Sequence, residues 1–197
     1  MKKFNTLKNT SLALASILAI GAISTANAQT SNMTATALVQ NTLTLATPSQ
    51  LNFGTISAVS DTTETATVTI DTLGTASVAT TGAPAYSAIV DDTAAAAGQI
   101  TIADGADGAT LNITINNVVD PVNGTETFDL DSFTTSWNGN ASNAQVIGTP
   151  FTETFSSAFG GGTNTLDVGA TITTTTASAG AYTDGSYAGT YDVVISY

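Results

Sequence analysis

The side chains in this sequence that could do chemistry are carboxylates and hydroxyls. Fifteen Asp and Glu residues stand in a 197-residue chain with no His and no Cys. A Ser–His–Asp or Cys–His nucleophile needs a nitrogen base beside it, so both arrangements are excluded. The only cationic side chains are Lys2, Lys3 and Lys8. No later lysine exists for a Schiff base, an isopeptide crosslink or sortase-type coupling. Zinc sites draw on His and Cys, and no Walker-type glycine loop occurs. Two carboxylates alone can hydrolyse a glycoside, but one of them must be raised by burial or by a neighbour. The acids here fall beside turns and on polar parities, where water keeps them ionised. The chain is therefore expected not to be an enzyme, and no catalytic residue is nominated.

Hard-cation chemistry is the remaining possibility for the acids. Asp104 and Asp107 flank Gly105, while Asp129 and Asp131 share a parity near Asn123 and Glu126. These four aspartates are the calcium candidates. Asp-Gly hairpin turns give the same spacing without metal, and the EF-hand pattern is missing. No other cofactor is expected.

Positioning any such groups requires a scaffold, and the chain ends constrain where it works. The three lysines precede an apolar run from Leu12 to Ile23, which ends at Ala26-Asn27-Ala28. A basic start, a short apolar run and a small-x-small exit read as a secretory signal peptide of bacterial type, residues 1–28. The run is short of the ~20 apolar residues that span a bilayer, so no stable membrane insertion is expected after cleavage. Export to the periplasm, cell surface or medium follows. Removing residues 1–28 takes the formal charge from −12 to −15, because every acid lies beyond Ala28. Phosphates and anionic headgroups then meet no cationic side chain, which argues against nucleic acid and lipid surfaces as partners. The Asn-x-Ser/Thr triplets at Asn32, Asn112, Asn123 and Asn140 are incidental in that setting.

Residues 29–197 read as one all-β domain. Alternation with abundant Thr, Val and Ile recurs where helical periodicity would otherwise show. Met33, Ala35, Ala37, Val39, Leu43 and Leu45 share one parity, broken by Asn41. Ala66, Val68 and Ile70 repeat the pattern. So do Leu111, Ile113 and Ile115, then Leu166, Val168, Ala170 and Ile172, and last Tyr191, Val193, Ile195 and Tyr197. Between the runs stand Asp104-Gly105, Asp107-Gly108, Asn123-Gly124, Asn138-Gly139 and Asp184-Gly185, which favour tight hairpins. Pro48, Pro84, Pro121 and Pro150 are placed at run boundaries. Gly160–Gly162 reads as a flexible loop or bulge. Many short punctuated strands predict a β-sandwich. Asp92–Gly98 is left open between one helical turn and a small-residue loop. The tract Thr171–Thr176 is expected to be an exposed strand, since no fixed repeat supports an ice-binding array. Phe128, Phe133, Phe151, Phe155 and Phe159 cluster in sequence around Trp137, the single tryptophan, and core packing is their expected use.

Certain short motifs resemble a known family. They are Leu51-Asn52-Phe53-Gly54, then Leu166-Asp167-Val168-Gly169-Ala170-Thr171, Gly180-Ala181-Tyr182, and Gly189-Thr190-Tyr191-Asp192-Val193-Val194-Ile195-Ser196-Tyr197. This frame resembles the bacterial exported family known as domain of unknown function 4402. More distantly it is similar to the spore coat protein U-like pilins of archaic chaperone–usher fimbriae. Those pilins often carry a disulfide near the first strand, which this chain cannot form. The resemblance implies an immunoglobulin-like Greek-key β-sandwich, incomplete and completed by donor-strand exchange. The donor would be Thr30–Val39, inserting Met33, Ala35, Ala37 and Val39 into a neighbouring copy. The C-terminal strand, with Tyr191, Val193, Ile195 and Tyr197, would be the edge that a periplasmic chaperone holds before assembly. Residues 34–46 also read as the first strand of a self-complete sandwich. The expected function is therefore a fimbrial-type structural subunit; the alternative is a monomeric surface or secreted binding module, stabilised by calcium.

Overall fold

A computed structural model describes residues 42–81, 89–176 and 180–197, with residues 89–93 as backbone alone. The expected signal peptide, residues 1–28, and the candidate donor residues Met33, Ala35, Ala37 and Val39 lie outside the described residues. In chain order the strands are β1 (Thr44–Ser49), β2 (Asn52–Ser57), β3 (Val59–Ser60), β4 (Ala66–Ile70), β5 (Ala76–Thr80), β6 (Ile89–Ala96) and β7 (Gly98–Ala103). They continue as β8 (Thr110–Asn123), β9 (Glu126–Trp137), β10 (Asn143–Ala144), β11 (Phe151–Thr154), β12 (Asn164–Thr174), β13 (Gly180–Ala181) and β14 (Ala188–Ser196). The described pairings are antiparallel, and together they make an all-β sandwich.

One layer is built on β12. Its first half pairs with β7, whose other side carries β1; its second half passes to β4, which carries β5. β9 lines the opposite side of β12 along nearly its whole length. The second layer is β8 with β11 on one side and β14 on the other. The β8–β9 hairpin joins the layers, pairing at Val122↔Thr127 and Asn123↔Glu126 around Gly124 (φ 63°) before the strands diverge. Between them lies the alternating core: Ala66, Val68 and Ile70 of β4, Leu111, Ile113 and Ile115 of β8, and Leu166, Val168 and Ala170 of β12. Burying each Val, Leu or Ile among them contributes roughly 1.5–3 kcal/mol.

The pole around Trp137 is closed by hydrogen bonds as well as by packing. Asn164 is fully buried, and its Oδ1 accepts from Asn138 Nδ2 (2.9 Å) and Ser156 N (3.1 Å). Its Nδ2 donates to Ser156 O at 3.0 Å, and Trp137 Nε1 donates to Thr154 O at 3.2 Å. Trp137 and Phe155 are buried here, Phe133 is buried beside Tyr191, and Phe128 at the far pole, as core packing requires; Phe151 is half-buried and Phe159 exposed.

Several local expectations change. Asp92–Gly98 is neither a helical turn nor a loop: it carries the end of β6 and the start of β7, with Ala95 and Ala96 opposite Phe53 and Asn52. Thr171–Thr176 begins as strand, but an interior one: Thr171 and Thr174 are buried. Their hydroxyls are satisfied there, Thr171 Oγ1 by Thr69 Oγ1 at 2.8 Å and Thr174 Oγ1 by Ala66 N–H at 2.9 Å. Pro48 and Pro121 sit inside β1 and β8 instead of at boundaries, each where the ladder register shifts. A missing N–H is tolerated at such irregularities. Gly160–Gly162 belongs to a tight 3-10 turn from Phe159, with Gly162 N–H bonding Phe159 O at 2.8 Å. Leu45 shares its parity with core residues yet is exposed; among the described residues β1 has β7 alone beside it.

Candidate functional site

One motif glycine bends a wall of a large cleft, and a second brings two strands close together. Gly54 has φ 77°, the left-handed region that glycine enters without strain, and its N–H bonds Asn52 Oδ1 at 2.9 Å. The β2–β6 register shifts between Phe53 and Thr55, so L-x-F-G encodes a bulge that bends β2. Gly169 permits close approach: a Cβ there would stand 2.4 Å from Ile70 O. That contact lets β12 seat the end of β4 tightly.

The cleft has a volume of about 720 Å³. One wall is β2 with its flanks, from Gln50 to Val59, and the other is the segment from Ala181 into β14, as far as Tyr191. Phe128, Leu130 and Ile172 form the floor. Leu130 and Phe128 keep 7% and 5% of their surface exposed, while Leu111, Ile113, Leu166 and Val168 keep none. Both walls are sheet edges. Among the described residues β2 pairs with β6 alone and β14 with β8 alone. An unpaired edge presents a row of backbone donors and acceptors, a template for another strand.

At one end the walls are joined. β3 pairs with β13 through Gly180↔Ser60 and Ala181↔Val59, and Tyr182 N–H bonds Ala58 O at 3.1 Å. The segment beyond is pinned by Glu126, whose Oε2 accepts the Tyr187 O–H and the Thr183 N–H, each at 2.6 Å. Those two bonds, the Tyr187 hydroxyl first, hold the Glu126 carboxyl below its ordinary range. Burial and the same bond push the Tyr187 phenol up to about 12. Tyr182 stacks on Phe128 with centroids 4.3 Å apart, and Tyr187 meets the same ring edge-on at 5.2 Å. Tyr182 donates to Thr127 O and accepts from Thr175 N–H, both at 3.0 Å.

The C-terminal edge residues are where the alternation puts them. Tyr191, Val193 and Ile195 face the core and are half-buried. Burial raises the Tyr191 phenol. Tyr197 lies just past β14, exposed, accepting from Ala106 N–H at 3.2 Å. The calcium candidates fall in two places, Asp104 and Asp107 around Gly105 and Asp129 and Asp131 on β9. Asp104 accepts from the Thr44 hydroxyl, and Asp107 accepts Ser157 N–H at 2.8 Å, which lowers its carboxyl. Asp129 and Asp131 lie along β9; burial first, then Asp120 and Asp131, raise Asp129. Among the described residues no group of three or more acid, His or Cys side chains is placed to hold a metal ion.

Reading the sequence did not identify β2 as a cleft wall, nor Glu126, Tyr182 and Tyr187 as its closed end. The signals were present in Leu51–Gly54 and Gly180–Tyr182, but as motifs without a partner. Residues 43–197 match the family model described as Domain of unknown function (DUF4402). No curated protein and no solved structure matches the chain.

Proposed function

The chain belongs to the DUF4402 family, and we propose that this member is a non-enzymatic, exported structural subunit of fimbrial type. Copies join when an extended segment of one adds to the open edge of the next. The observation that carries this reading is β14. It has a strand on one side among the described residues, alternating apolar side chains facing inward, and a cleft beside its first residues, up to Tyr191, where a second neighbour would begin. Strand addition supplies affinity through main-chain hydrogen bonds and specificity through alternate side-chain pockets. The N-terminal segment Thr30–Val39 has the matching alternation. In the periplasm a chaperone would pair with β14 until the donor arrives.

The test is the size distribution of the mature chain, residues 29–197, after refolding over a range of concentrations. Multimers that melt above the monomer are expected. The double substitution Ala35→Asp with Ala37→Asp should leave monomers, because a carboxylate buried without a partner costs several kcal/mol. A wild-type chain that stays monomeric at every concentration overturns the reading. One observation favours the second reading, a monomeric binding module: Tyr182 and Tyr187 stand half-buried at the cleft beside Asn52, Thr183 and Asp184. A stable monomer that binds a glycan through those tyrosines would establish it.

A further inference from the structure

We infer that the cleft is the closed end of a longer groove along the edge of β14, and that it takes the free N-terminal end of a second copy, residues 30–33 in the cleft and 34–39 along the rest of β14, parallel to it. The inference rests on the strand-addition reading and adds direction and a trigger to it. β14 starts at the closed end with Ala188 and runs toward the Trp137 pole at Ser196. β2 runs the opposite way, and its last residue, Ser57, leads straight into the β3–β13 ladder. A strand lying along β14 therefore meets the joined walls at Ala58 and Tyr182. With the walls joined there, the added strand must end. The reverse orientation would force residues 40–43, which lead to the donor's own β1, out through that ladder.

Length agrees with this. At ~3.3 Å per residue the edge of β14 is about 30 Å long, the span of residues 30–38. In that register Met33, Ala35 and Ala37 lie beside Tyr191, Val193 and Ile195, and Val39 beside Tyr197, with matching inward parity. Cleavage after Ala28 leaves a single residue beyond Thr30. The segment is also outside the family match, which begins at residue 43.

Charge agrees as well. Residues 29–60 contain no charged side chain, whereas all 15 acids follow them. A neutral strand approaches this acidic body without repulsion. The ammonium freed at the new N-terminus arrives beside Asp184, which lines the closed end, and Glu126, which pins it. An uncut leader has no room there. Leader removal is thus the step that makes a chain competent to donate.

The chain has no cysteine, so engineered pairs in the full mature chain report cleanly. Asn32→Cys with Thr190→Cys, and Leu38→Cys with Ser196→Cys, should each give intermolecular disulfide ladders on a non-reducing gel. The crossed pairs, Asn32→Cys with Ser196→Cys and Leu38→Cys with Thr190→Cys, should give none, being about 20 Å apart. A ten-residue Gly/Ser extension before Gln29 should abolish the ladders while leaving the monomer's melting temperature unchanged. Ladders from the crossed pairs, or from the extended chain, overturn the direction and the trigger but leave strand addition standing. A fast-migrating monomer with an internal disulfide overturns the second copy as occupant. No crosslink from any pair, with a monomeric wild type, overturns strand addition itself.

Discussion

β12 and β14 carry the same kind of sequence and meet different fates. Leu166, Val168, Ala170 and Ile172 alternate on β12 as Tyr191, Val193 and Ile195 do on β14. On β12 the alternation ends in near-complete burial, and on β14 in half-burial. The side chains do not make this difference; the number of flanking strands does. β12 has β9 on one side and β7 followed by β4 on the other, while β14 has β8 alone among the described residues. Alternation tells which face of a strand looks inward. It says nothing about whether the strand's edges are occupied.

The largest test of that contrast compares one truncation in each strand. Leu166→Ala should destabilise the isolated domain by about 3 kcal/mol, as large-to-small changes in a sealed core do. Val193→Ala should cost about 1 kcal/mol in the monomer, and more once the edge is covered. Urea unfolding followed by circular dichroism measures both; equal losses would mean that β14 is already as enclosed as β12.

Next comes the polar seal of the Trp137 pole. Asn164→Ala leaves Asn138 Nδ2 and the Ser156 backbone without their partner. About 2 kcal/mol should be lost, roughly 4–8 °C in melting temperature for a domain of this size.

The pH response should separate the poles in another way. Glu126 is held below its ordinary value, so its contribution is complete above about pH 5 and is lost as pH falls through the lower folded value. Tyr187 is raised to about 12. Between about pH 10 and 12 the unfolded phenol gives up its proton first, so stability falls as pH rises across that range. Loosening at both extremes should therefore begin at residues 183–187. Hydrogen exchange mapped by residue checks this, and Glu126→Gln should remove the acid limb.

The smallest expected effect is on the outer face of β14. Val194 is half-exposed there, and Val194→Thr should change stability by no more than about 0.5 kcal/mol. A larger loss would show that the outer face is packed too.

Much of this architecture was legible before the fold was known, for reasons the two strands make plain. Period-two alternation over β-branched residues marks strands and their inward faces, as Ala66, Val68 and Ile70 or Leu111, Ile113 and Ile115 illustrate. Where contrast is missing, legibility ends. Ala94–Ala97 has no polar–apolar alternation, and only pairing with Asn52 and Phe53 makes β6 of its start. The threonines of Thr171–Thr174 look suited to water, yet local hydroxyl bonds let them lie inside. The cleft could not be read because it is a relation between edges distant in sequence. Glu126, Thr183 and Tyr187 meet there across 57 and 61 positions.

Trp137 has one further consequence. It is the chain's single indole, buried in the sealed pole and absent from the cleft lining, where the aromatic rings are phenols, Phe53 and Phe128. The molecule therefore carries two separate optical labels. Indole emission follows the loss of the sealed core, and phenol emission follows events at the open edge. Occupation of the slot should alter the second signal and leave the first unmoved.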